Sequence, residues 1–92
     1  MDNTIIREAQ LVNKLGMHAR AAAEFVKQAS RFDCEINIAK NGTKVNGKSI
    51  MGILMLAMPM GESFEIHASG EDAPDAIDAL VELVNNKFGE EQ

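Results

Sequence analysis

The sequence has no tryptophan, no tyrosine, one cysteine and two prolines among its 92 residues. Four phenylalanines are its entire aromatic complement, so it lacks the aromatic platforms on which single-stranded nucleic acids stack. Basic residues are also few, because 9 Lys and Arg against 14 Asp and Glu give a formal net charge of −5 with no basic run. We therefore expect no nucleic-acid partner.

Disulfides, leader peptides and membrane spans are equally absent from the pattern. Cys34 has no second cysteine to pair with, and residues 1–7 contain an acidic side chain and no long apolar core of the kind a signal peptide needs. The most apolar run, residues 50–60, is far shorter than the ~20 residues that span a bilayer, and Gly52 and Pro59 interrupt it. We expect a cytoplasmic protein with no membrane insertion.

What is present is typical of a small folded protein. The sequence is 46% hydrophobic and 25% charged, which is too apolar for intrinsic disorder. No repeat, low-complexity tract or linker divides it. We expect residues 1–92 to form a single domain.

Seven elements are predicted from the hydrophobic pattern and the turn residues. Residues 19–30 and 72–89 have apolar positions at helical spacing, whereas residues 34–38 and 63–69 alternate in the manner of strands with one buried face. The predicted elements are strand 4–12, helix 19–30, strands 34–39 and 43–45 around an Asn41-Gly42 turn, helix 49–56, strand 63–69 and helix 72–89. This order favours an α+β fold in which helices cover the apolar face of an antiparallel sheet.

The sequence predicts two helix starts and the behaviour of the C-terminal tail. Ser49 can accept hydrogen bonds from backbone amides as an N-cap, and Asp72 followed by Asp75 predicts a second N-cap. The acidic tail, residues 90–92, is expected to fray.

One histidine lies where a loop enters a helix. Gly16 and Met17, which we expect to be exposed, precede His18, and Arg20 follows it in the first helical turn. The first turn of a helix has unpaired N–H groups and a partial positive charge, so a phosphoryl group on His18 would find donors there, and Arg20 could add a planar pair. Neutral imidazole is also a nucleophile at physiological pH. From residue types alone, however, a plain surface or capping histidine is the commoner interpretation.

Two motifs together decide between these interpretations. The sequence NKLGMHAR at residues 13–20 and the sequence VNGKSIMG at residues 45–52 resemble HPr, the histidine-containing phosphocarrier family of the sugar phosphotransferase system, and the likeness extends over essentially the whole chain. The resemblance implies an open-faced β-sandwich in which a four-stranded antiparallel sheet, of order 1-4-2-3, has three helices on one face. It also implies a monomer without cofactor or metal.

The family's chemistry implies a relay. Enzyme I, charged by phosphoenolpyruvate, would phosphorylate His18 on Nδ1, and His18 would pass the group to a IIA domain. Arg20 matches the arginine that contacts the phosphoryl group. The protein would be a carrier and not a turnover enzyme. One departure is Ala21, which stands where the family usually has proline; it should leave the helix intact but puts the geometry of the phosphoryl site in doubt.

The second motif implies regulation and docking. Ser49 matches a serine that an ATP-dependent HPr kinase/phosphorylase modifies in many family members, although a plain N-cap is the alternative. The resemblance also implies a partner-binding surface that comprises Met17, Ile50, Met51 and Leu54. The alternative is that all of residues 50–60 belong to the core.

Two further functions stay open. A nitrogen-related carrier has the same fold and histidine but serves a regulatory IIA protein, and a non-catalytic regulator would use the docking surface without phosphate chemistry. A small-molecule enzyme is disfavoured, because no base, nucleophile and orienting carboxylate converge near His18 in the sequence. His67 is expected at the surface and Cys34 in the core.

Overall fold

The computed structural model describes residues 4–92. Residues 1–3, which are part of the segment expected not to be a signal peptide, lie outside the described residues. The elements are β1 (Ile5–Gln10), α1 (Ala19–Ala29), β2 (Glu35–Lys40), β3 (Thr43–Asn46), α2 (Ile50–Leu54), β4 (Ser63–Ser69), α3 (Ala73–Asn85) and a 3₁₀ turn (Lys87–Gly89). The predicted order is confirmed, although β1, α2 and α3 are shorter than the sequence pattern indicates.

The four strands form one antiparallel sheet of order β1-β4-β2-β3. The central strand β4 pairs with β1 and β2, so that Ala68 lies opposite both Ile5 and Ile36. Asn41 and Gly42 join β2 to β3 with φ of 51° and 81°, the positive values that a tight hairpin turn needs. The predicted α+β class and strand order are confirmed.

The core lies between one face of this sheet and the three helices. Phe64, Ile66 and Ala68 alternate along β4 with exposed or half-buried residues, and each is 2% exposed or less. Phe25 of α1 and Leu80 of α3 belong to the same buried cluster, and neither has exposed surface. Within residues 4–92 no helix covers the opposite face of the sheet, which is the open-faced arrangement expected. No helix within residues 4–92 has the length and hydropathy to cross a bilayer.

The two predicted helix caps have different outcomes. The Ser49 hydroxyl accepts from the Gly52 N–H at 3.0 Å, as expected of an N-cap. The prediction that the Asp72 side chain caps α3 is wrong, although Asp72 is the residue before that helix. Its carboxylate instead accepts from the N–H groups of Asp33 (2.8 Å) and Cys34 (2.9 Å), because the tertiary fold presents two unpaired amides to it.

The chain after α3 turns back toward the start of α1. Lys87 and Phe88 have φ of 59° and 57°, so the predicted helix ends early, yet Phe88 still reaches the core at 4% exposed. The expectation of a frayed acidic tail is also wrong. Glu90 bonds to side chains near α1, and the Gln92 carbonyl accepts from the backbone N–H of residue 14.

Candidate functional site

His18 is the N-cap residue of α1. Its backbone is extended, with φ −81° and ψ 179°, and its side chain makes no capping hydrogen bond. The first bond of the helix joins the Ala22 N–H to the His18 carbonyl at 2.9 Å. The N–H groups of residues 19–21 precede that bond and have no acceptor in the described part of the chain, so they are available to an anion beside His18.

The loop before His18 is held against the segment that follows α2. The Met17 N–H donates to the Met58 carbonyl at 2.9 Å, and Gly16 has φ +65° with almost no space around its Cα. The expectation that Met17 is exposed is wrong, because its side chain is 4% exposed and belongs to the core. This anchoring fixes the position of His18 from its N-terminal side.

A carboxylate that sequence analysis missed lies on the His18 ring. Glu90 Oε2 is 2.7 Å from His18 Nε2, and the two side chains are 10% and 27% exposed. Because 71 residues stand between them in the chain, no local sequence signal pairs them. Only the reversal at Lys87 and Phe88 brings Glu90 to the imidazole.

Asn13 holds the other oxygen of the same carboxylate. Its Nδ2 donates to Glu90 Oε1 at 3.0 Å and to the Gly16 carbonyl at 2.8 Å. Asn13 has no exposed surface, and its Oδ1 has no hydrogen-bond partner. Two donations from one buried amide therefore link the tail to the loop that precedes His18.

The electrostatics favour an ionised Glu90. Burial alone would raise the pKa of Glu90. The hydrogen bonds from Asn13 and His18, together with the positive charges of His18 and Arg20, outweigh burial and hold that pKa below its ordinary value. Since an ionised carboxylate can only accept, the proton between Glu90 and His18 belongs to Nε2 of the imidazole.

This arrangement leaves one defined nitrogen of a neutral His18 ring without a hydrogen-bond partner in residues 4–92. A neutral imidazole with its proton on Nε2 has its lone pair on Nδ1. The exposed Arg20 side chain lines a surface pocket of about 560 Å³ together with His18 and Glu90. The site therefore combines a nucleophilic nitrogen, helix N–H donors and a guanidinium.

Apolar side chains form an exposed surface on and near α2. Ile50 is 40% exposed and Met51 72% exposed, whereas Leu54 is half-buried against the core. The sequence analysis missed Met55, which is 80% exposed, and Leu15, which is 66% exposed and lines the His18 pocket. The alternative that all of residues 50–60 are core is therefore wrong, because α2 is one short helix packed on one side.

His67 is less exposed than the surface position expected from the sequence. It lies on the strand face away from the helices with its side chain 13% exposed and its Nε2 2.9 Å from Glu65. Cys34 lies in the core as expected, at 4% exposed. Within residues 4–92 no group of three or more His, Cys, Asp or Glu side chains could hold a metal ion.

We expect Cys34 to resist thiol reagents in the folded protein. Burial, reinforced by the Asp72 carboxylate, raises the pKa of the thiol to about 11, so little thiolate exists at pH 8. Alkylation with iodoacetamide at pH 8, followed by mass spectrometry, should be at least about tenfold slower in buffer than in denaturant. Equal rates would contradict a buried thiol.

Comparison with known proteins identifies the family. The family profile described as the PTS HPr component phosphorylation site matches residues 5–86. The chain belongs to the HPr family. It is 52% identical to phosphocarrier protein HPr of Pseudomonas putida over 85 residues, which covers 91% of this chain and 94% of that protein.

Other members of the family are also similar. Phosphocarrier protein NPr of Shewanella violacea is 43% identical, with 91% of this chain and 92% of that protein covered. A crystal structure of HPr from Thermoanaerobacter tengcongensis superposes with a TM-score of 0.92 at 45% identity, covering 96% of this chain and 99% of that one. The protein is therefore an HPr-type phosphocarrier of the phosphotransferase system.

Ala21, the position at which the resemblance leads us to expect proline, lies in the first turn of α1 with no exposed surface. The helix begins at residue 19, so the substitution leaves the helix start intact. Alanine also has a backbone N–H that proline lacks, which adds one donor to the first turn.

Proposed function

We propose that the protein accepts a phosphoryl group on Nδ1 of His18 from phosphorylated enzyme I and passes it to a IIA domain of the sugar phosphotransferase system. The single observation that carries this proposal is the 2.7 Å contact between His18 Nε2 and Glu90. That contact occupies the nitrogen that faces the tail and leaves the Nδ1 lone pair for attack on phosphorus.

The surroundings of His18 suit an anionic product. The unpaired N–H groups of residues 19–21 can donate to phosphoryl oxygens, and Arg20 can neutralise part of their charge. Such groups stabilise the charge that develops during transfer without a metal ion. We propose that Arg20 contacts the phosphoryl group while it resides on His18.

The direct test is phosphate incorporation. The purified protein is incubated with enzyme I and phosphoenolpyruvate, and the phosphorylated residue is located by mass spectrometry at neutral pH, because phosphohistidine is labile in acid. Acid-labile phosphate on His18 is the expected result. An unlabelled protein in the presence of an enzyme I that labels another carrier would contradict the proposal.

We further propose that partners dock on the apolar surface formed by Ile50, Met51 and Leu54, without Met17. The exposure of Ile50 and Met51 supports this surface, and methionine adapts to several partners. Ser49 lies directly before it, and we propose that an HPr kinase/phosphorylase modifies this residue. A phosphate there would bring negative charge to the edge of the docking surface.

Ser49→Asp should slow acceptance at His18. The new charge lies where enzyme I is proposed to dock, so we expect kcat/KM for phosphoryl acceptance to fall roughly tenfold, as unfavourable charge at an interface does. Ser63→Asp is the matched control, because Ser63 is exposed on β4 and lies outside the docking surface. Equal rates for the two variants would count against coupling between Ser49 and His18.

A second candidate is a regulatory carrier of the nitrogen-related branch. The 43% identity to phosphocarrier protein NPr of Shewanella violacea favours keeping it. The two functions differ in the acceptor, so phosphorylated protein offered equimolar sugar-specific and nitrogen-related IIA proteins should label one faster. Faster labelling of the nitrogen-related protein would favour the second function.

We also propose that residues 1–92 act as a single monomeric domain in the cytoplasm, as a protein that moves between two soluble partners would. Sedimentation equilibrium measures the mass directly, and a value near the chain mass of 10.0 kDa is expected. A mass near twice that value would contradict the monomer.

A further inference from the structure

We propose that Glu90 is a positioning residue for phosphoryl transfer, holding the proton on His18 Nε2 and balancing the charge that forms on the ring. This inference rests on the proposed function, since it concerns how His18 receives and releases the group. Glu90 does not touch the phosphoryl group in this scheme. It acts through the far nitrogen of the imidazole.

The geometry supports a fixed carboxylate. Glu90 uses both oxygens, one on His18 at 2.7 Å and one on Asn13 at 3.0 Å. Asn13 is itself fully buried and bonded to the Gly16 carbonyl, so the carboxylate is attached to a rigid part of the loop. A carboxylate fixed on one nitrogen of a histidine selects the tautomer and orients the ring.

The charge balance of the transfer step gives this contact its role. The Nδ1 lone pair of neutral His18 forms a bond to phosphorus, and the bond from phosphorus to the donor breaks with its electron pair returning to the donor. Because Nε2 keeps its proton, the ring becomes a cation, next to which the ionised Glu90 already lies. When an acceptor attacks phosphorus, the N–P bond breaks, its electron pair returns to Nδ1, and the ring is neutral again.

No proton needs to leave the ring at either stage. The negative Glu90 and the phosphoryl group then lie on opposite nitrogens of one cationic ring and do not compete for the same atom. The other charged side chains that line this pocket are Lys14, Arg20 and Glu91. None of these is bonded to His18 in the described structure, so the balancing charge on Nε2 comes from Glu90.

The test compares Glu90→Gln with Glu82→Gln. Each variant removes one negative charge, but Glu82 is exposed on α3, is not bonded to His18 and does not line the His18 pocket. For Glu90→Gln we expect kcat for phosphoryl acceptance from enzyme I to fall about tenfold with KM within about twofold, because the orienting charge is lost while the docking surface is unchanged. Glu82→Gln should match the wild type.

A second measurement determines which nitrogen of the His18 imidazole holds the proton, without phosphoryl transfer. In ¹⁵N NMR spectra at a pH where the ring is neutral, the wild type and Glu82→Gln should show the proton held on Nε2 of His18. Glu90→Gln should show a mixture of the two tautomers, since a glutamine amide can donate to Nε2 as well as accept from it. Circular dichroism checks that both variants are folded.

The outcomes separate this inference from the proposed function. If enzyme I labels the wild type and both variants with equal kcat, the role of Glu90 is wrong and the carrier function stands. A raised KM at unchanged kcat, or a lower kcat with unchanged ¹⁵N shifts, would also overturn it. If the wild type accepts no phosphate, the proposed function fails, and the inference with it.

Discussion

We expect phosphate incorporation from enzyme I and phosphoenolpyruvate to disappear completely when His18 is replaced by alanine. Alanine has no nucleophile, and no other imidazole lies at the start of α1. The His18 ring is partly exposed at the helix terminus, so its removal leaves the core intact and the circular dichroism spectrum should not change. Labelling is measured by mass spectrometry at neutral pH.

His67→Ala is the matched control for this experiment, since the sequence has two histidines. His67 is also partly exposed and also contacts a carboxylate, that of Glu65 at 2.9 Å. It lies on a strand, however, without the free helix amides that accompany His18. His67→Ala should be labelled like the wild type, and persistent labelling of His18→Ala would refute His18 as the acceptor.

The largest effect on stability is expected from Gly16→Ala. A methyl group at Gly16 would lie 2.6 Å from the Met58 carbonyl oxygen and 2.8 Å from backbone atoms of Pro59, so backbone must move. The positive φ of +65° adds strain for any residue with a side chain. Together, overpacking and backbone strain should cost about 3 kcal/mol or more of the free energy of unfolding. The midpoint of thermal unfolding should fall by roughly 12 °C or more.

Gly42→Ala separates the two causes. Gly42 has φ of +81°, but a methyl group added there would have no atom within 4 Å, so only the strain remains. We expect a loss of about 1 kcal/mol, or roughly 5 °C in the unfolding midpoint. Thermal unfolding followed by circular dichroism compares the two variants. Equal losses would show that the contact of Gly16 with Met58 and Pro59 has no energetic weight.

Much of the fold could be predicted because its signals are local. The alternation of Phe64, Ile66 and Ala68 predicts a strand with one buried face, and the Asn41-Gly42 pair predicts the turn. The Ser49 cap was predicted for the same reason, since donor and acceptor are three residues apart. The strand order came from the resemblance to a family, not from the pattern.

The errors concern contacts between distant segments. Asp72 has the sequence of a helix cap, yet its carboxylate bonds to Asp33 and Cys34, which the fold brings beside it. Met17 follows a glycine in a polar loop, which favours exposure, but its N–H is bonded to the distant Met58 carbonyl and its side chain lies in the core. Local propensity has no information about either partner.

The candidate site shows the same difference between local sequence signals and contacts of distant segments. The sequence by itself determined the place of His18 at a helix start, because helix signals depend on neighbouring residues, and the resemblance to a family made it the proposed nucleophile. Only the tertiary structure decided which nitrogen of that histidine is free. Glu90 reaches Nε2 after a reversal of the chain at Phe88, whose burial depends on the whole core, and Asn13 fixes the carboxylate from another loop. A contact made across 71 intervening residues is a product of packing, which no local pattern encodes.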